Sequence, residues 1–84
     1  MARWAPPPMG GPEVSAAYRA EQAQRRRIVG GPIVCAEDIL AHLGPYRGVD
    51  RQRLVAIGLE CAREGGSKAL AARVAAAADG PGAP

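Results

Sequence analysis

Leu54-Val55-Ala56-Ile57-Gly58-Leu59 is the stretch whose reading decides the fold of this chain. Taken as a strand, it is a short continuous apolar run buried on both faces, bounded by Arg51 and Arg53 before it and Glu60 after it. Taken as a helix, it stacks Leu54, Ile57 and Cys61 on one side, with Asp50 as the cap. Gly58 is unfavourable in either state, since it adds backbone entropy and no side chain to pack. The flanking charges cut the run to strand length, so the sequence favours a strand over Leu54–Cys61 after a short helical turn, with a helix as the alternative. Glu64-Gly65-Gly66-Ser67 then turns the chain. Lys68 to Ala78 is alanine-rich, with Leu70 and Val74 four apart, and reads as a helix on propensity. Set in a hairpin with the preceding run, Ala69 to Val74 becomes its return strand.

Working outward toward the N-terminus, Ala36 to Leu43 is the clearest helix. Ala36, Ile39, Leu40 and Leu43 form one stripe, Glu37 and Asp38 fall in the first turn, and Gly44-Pro45 ends it. Ile33-Val34-Cys35 is short and β-branched, which predicts an extended segment. Ile28-Val29-Gly30-Gly31-Pro32 interrupts any helix before it. Glu13 to Arg27 is compatible with a marginal helix whose face of Val14, Ala17, Tyr18 and Glu21 has one large member, or with an arm ordered by a partner. Met1 to Pro12 holds four of the eight prolines and reads as extended and solvated, and Gly80 to Pro84 reads as a frayed tail. The predicted class is α+β: one helix on a short antiparallel strand pair, with disordered ends. The predicted organisation is a basic arm over 1–31, a small folded unit over 32–79 and a disordered tail over 80–84. An all-α helical module is the alternative.

The segments Pro32-Ile33-Val34-Cys35-Ala36-Glu37-Asp38-Ile39 and Gly48-Val49-Asp50-Arg51-Gln52-Arg53-Leu54-Val55-Ala56-Ile57-Gly58-Leu59-Glu60 resemble the opening blocks of the JAB/MPN domain in RadC-like proteins. Ala62-Arg63-Glu64-Gly65-Gly66 stands where that family makes a hairpin, and Lys68-Ala69-Leu70 where its return strand begins. The likeness covers residues 32–74. It implies a strand pair and a metal-dependent hydrolase ancestry. Cys35-Ala36 replaces the family's usual Ser-Pro, and Gln52 stands where Glu is typical. The family's His-x-His, Pro-Ser-Gly and Asp metal motif has no counterpart. The resemblance therefore implies a non-catalytic, truncated or degenerate segment, with no catalytic, cofactor or metal residue to carry over.

The chemistry-bearing residues agree with that absence of catalysis. Hydrolytic zinc needs three converging ligands and an open position, and the chain has a single histidine, His42. At the end of its helix His42 reads as a surface residue favoured by the helix dipole. Ser15 and Ser67 are the only hydroxyl nucleophile candidates, and Ser67 reads as a turn serine capping the last helix. Cys35 and Cys61 are far apart in sequence and suggest two buried free thiols in a reducing cytoplasm. No apolar run reaches the length of a membrane span.

The net charge of +3 lies wholly in residues 1–31, where five arginines face Glu13 and Glu21. Arg25, Arg26 and Arg27 are the candidate nucleic-acid contacts, a run able to meet phosphates weakly and without sequence preference. The core inventory is lean, with no Phe and eighteen alanines. An edge strand over 54–59 would add an unpaired ladder. Together these predict an isolated chain that is either largely disordered or associates, with itself or another protein, through residues 50–74.

Overall fold

In the computed structural model, which describes residues 14–79, the chain is built from helices joined by tight turns. These are α1 (Ala16–Gly30), α2 (Pro32–Ala41), α3 (Gly48–Glu64) and α4 (Lys68–Ala76), followed by a 3-10 turn over Ala77–Asp79. Helix α2 lies at the centre, packed against both α1 and α3, and α4 closes over α3. Ile39, Leu43, Leu54, Val74, Cys35 and Cys61 are the largest fully buried side chains. The segment leading into α1 is pinned from within, where the Tyr46 hydroxyl donates to the Val14 carbonyl at 2.8 Å.

The α+β expectation is overturned: no strand occurs among the described residues, and the all-α alternative fits. The run Leu54 to Leu59 is the middle of α3. Its buried positions are Arg51, Leu54, Val55, Gly58, Cys61 and Ala62, a helical spacing that continues past both ends of the six-residue window. Ala56 faces solvent, so the run is not buried on both sides. Gly58 answers a packing need instead. A methyl there would meet Ile39 Cγ2 and Val74 Cγ1, each at 3.1 Å, so the missing side chain lets α2 and α4 press onto α3. The return strand over 69–74 is likewise helix α4, as alanine propensity favours. The strand pair that the RadC-like resemblance implies is thus helical at both segments.

The N-terminal half departs from expectation in the same direction. Ile33-Val34-Cys35 is not extended but forms the first turn of α2, opened by Pro32, whose fixed φ suits the start of a helix. Only Gly31 separates α1 from α2, at φ 97°, a backbone setting that glycine adopts without strain. Helix α1 runs to Gly30 and buries Ala16 and Ala23, so its inner face is offset from the predicted one and Tyr18 stays 48% exposed. A boundary at residue 31 would place α1 outside the folded unit, whereas it packs on α2 and α3. The expected disorder of residues 1–13 and 80–84 lies outside the described residues.

Both serines are helix caps. Ser15 Oγ accepts from Tyr18 N at 3.0 Å and Ser67 Oγ from Leu70 N at 3.1 Å. Replacing Ser67 by alanine is expected to cost about 1 kcal/mol, and by glycine only a few tenths. Urea titration of both variants checks this, and equal losses would show that Ser67 contributes something other than its cap.

Candidate functional site

The surface feature that burial does not account for is the corner where α1 turns into α2. Ile28 and Val29 end α1 at 83% and 89% exposed, and Val34 adds a third open aliphatic from the first turn of α2. Val34 stands directly over Gly30, where a methyl would approach its side-chain carbons to 3.2 Å. Gln22, Arg25, Arg26, Val29, Gly30 and Val34 line a notch of about 240 Å³ beside them. Small-molecule sites run from about 300 to 1,000 Å³, so this notch suits an apolar side chain better than a free ligand.

Of the three arginines read as a nucleic-acid contact, Arg25 and Arg26 line this notch, and each of the three has a carboxylate. Arg25 pairs with Glu21 at 3.4 Å, Arg26 with Asp38 at 3.2 Å, and Arg27 with Glu64 of α3. Asp38 is the buried centre of a larger cluster, with Arg19 at 3.9 Å and His42 Nδ1 at 3.5 Å from its oxygens. His42 closes α2 as expected, its Nδ1 2.8 Å from the Asp38 carbonyl. The arginine run is therefore spent largely on tying α1 to α2 and α3. The cations without an acid, among the described residues, lie instead on α3, at its N-cap Arg47, and on α4. Arg63 and Lys68 are two of them, and they border a shallow concavity of about 400 Å³ with Ser67. Nothing in the sequence marked that redistribution, because the acids that neutralise Arg26 and Arg27 are 12 and 37 residues away.

In the expected association segment 50–74 the large aliphatics turn inward, with only Ile57 and Leu59 half-buried. Leu54, Val55, Cys61, Ala62, Leu70 and Val74 are all buried in the chain's own core. The sequence also gave no sign that Cys35 and Cys61 meet. Their sulfurs lie 2.7 Å apart between α2 and α3, and burial, reinforced by the neighbouring thiol, pushes the Cys35 pKa up to about 12. Among the described residues no three His, Cys, Asp or Glu side chains converge to hold a metal ion, and no helix is long and apolar enough to cross a membrane. In comparisons with known proteins, no family model, curated protein or solved structure matches this chain.

Proposed function

We propose that the chain is a small helical protein-binding module, without catalysis of its own, whose α1–α2 corner pairs with a second copy of the chain. The observation that carries this reading is the adjacency of Ile28 and Val29, two branched aliphatics left almost fully in water beside an apolar notch. Burying such a patch is favourable at roughly 25 cal/mol per Å² of apolar surface. A two-fold interface must be self-complementary, and this corner supplies both members of each pair. Ile28 is a knob, and Val29, Gly30 and Val34 form the hole.

The corner is preferred to residues 50–74 because the large aliphatics of that segment are already committed to the core. It is preferred to a nucleic-acid surface because Arg25, Arg26 and Arg27 would each have to exchange a carboxylate for a phosphate. The RadC-like reading is not pursued, since its strand pair is helical here.

Lysine at both Ile28 and Val29 tests the proposal. Cations suit the last turn of a helix, so the double variant should stay folded, with its unfolding midpoint within a few degrees of the parent. Sedimentation equilibrium over a wide concentration range should show a dimer for the parent and a dissociation constant at least about tenfold weaker for the variant. A parent chain that stays monomeric throughout, or a variant that dimerises equally well, would overturn it.

A further inference from the structure

We infer that Cys35 and Cys61 are a dithiol pair that closes into an interior disulfide bolting α2 to α3. This rests on geometry independent of the corner. Cys35 lies in the first turn of α2 and Cys61 in the last turn of α3, both completely buried, with their sulfurs 2.7 Å apart. A disulfide needs about 2.05 Å, so the two helices already hold the sulfurs close to bonding reach. The residues are 26 apart in sequence, so the bond would close a loop spanning the rest of α2, the connection and most of α3. No third ligand stands with them, since no metal-holding group of His, Cys, Asp or Glu occurs among the described residues.

The oxidant that fits is a small disulfide of the glutathione class. One protein thiolate attacks it, forming a mixed disulfide and releasing one small thiol. The second protein thiolate then attacks the protein sulfur of that mixed disulfide, forming the Cys35–Cys61 bond and releasing the second small thiol. Two protein thiols are oxidised, one small disulfide is reduced, and the two protein protons end on the released thiols. Exchange requires thiolate and access. Burial denies both in the closed fold, and the raised Cys35 pKa reinforces this. The reaction is therefore gated by separation of α2 from α3, and the finished bond is shielded from reductants by the same burial.

The experiment treats the full chain with oxidised glutathione, both in buffer and during refolding from urea, and reads intact mass without reductant. The expected product is a monomer two hydrogens lighter, with no retained glutathione, formed slowly in buffer and quickly on refolding. Its unfolding midpoint should exceed that of the reduced chain by about 12–20 °C. Cys35→Ala and Cys61→Ala should each end as the unreacted thiol or a glutathione adduct. The inference fails if the parent ends as glutathione adducts or intermolecular dimers. It also fails if no disulfide forms on refolding, or if the oxidised chain melts no higher than the reduced one.

Discussion

Replacing Arg51 with methionine is expected to lower the unfolding free energy by about 2–4 kcal/mol, read as a drop of roughly 10–20 °C in Tm. Arg51 is only 6% exposed and has no carboxylate partner among the described residues. Its guanidinium instead gathers backbone carbonyls that follow α2 and α4. Nε donates to the Ala77 carbonyl at 2.8 Å, and Nη1 donates to the Leu43 carbonyl at 2.8 Å and the Tyr46 carbonyl at 3.1 Å. The planar fork thus ties the exit of α2 and the end of α4 to α3. Burial, with Arg47 adding to it, lowers the Arg51 pKa, so the charge sits there at a cost. That cost makes the sign worth arguing, because an apolar replacement also removes a buried charge. The carbonyls decide it. Leu43 O keeps the Tyr46 amide and Tyr46 O keeps Arg47, but among the described residues no other side chain donates to Ala77 O. Arg51→Lys should recover about half the loss, since one ammonium cannot span all three acceptors. Urea titrations of both variants measure this, and a methionine variant within 0.5 kcal/mol of the parent, about the scatter of neutral surface changes, would refute it.

Arg51 also shows which parts of this molecule the sequence discloses. Read locally, it is one charge bounding an apolar run, and that boundary is what made a strand over 54–61 attractive. Charged residues bound strands only when they are solvated, and this one is buried because carbonyls 5, 8 and 26 residues away converge on it. The helical spacing of α3 becomes visible once Arg51 and Ala62 count as interior beside Leu54 and Cys61, yet nothing local says that those two are. By contrast, signals that act within one turn are legible directly. Alanine propensity in α4, the Ser67 cap, the Gly44-Pro45 stop and the place of His42 at the end of α2 all depend on near neighbours. The candidate surface follows the same division. Arg25, Arg26 and Arg27 stand out as a run, but whether they are free depends on Asp38 and Glu64, which tertiary packing brings to them. In the sequence Ile28 and Val29 belong to a segment that interrupts the helix, and only the packing of α1 shows that they are left in water.

The tightest test of that packing is the meeting of three helices at Ile39, Gly58 and Val74. Ile39→Ala is expected to cost about 3 kcal/mol, within the 2–5 seen for such core truncations. A domain of this size holds roughly 3–10 kcal/mol in all, so the variant should be near its unfolding threshold at room temperature. Ile39→Val, expected to lose about 1 kcal/mol, keeps the series measurable if the alanine variant does not fold. Gly58→Ala taken alone brings opposing terms. It gains up to about 1 kcal/mol of helix propensity but forces a methyl to 3.1 Å from both Ile39 Cγ2 and Val74 Cγ1, an overpacking cost of about 1–3. The net expectation is a loss of about 1 kcal/mol. Combined with Ile39→Ala, the same methyl meets the space that Cγ2 has left and strains only against Val74. The double variant should therefore lose less than the sum of the two singles, by about 1 kcal/mol. Additivity within about 0.3 kcal/mol would mean that residues 39 and 58 do not touch, and the central packing of α2 on α3 would have to be redrawn.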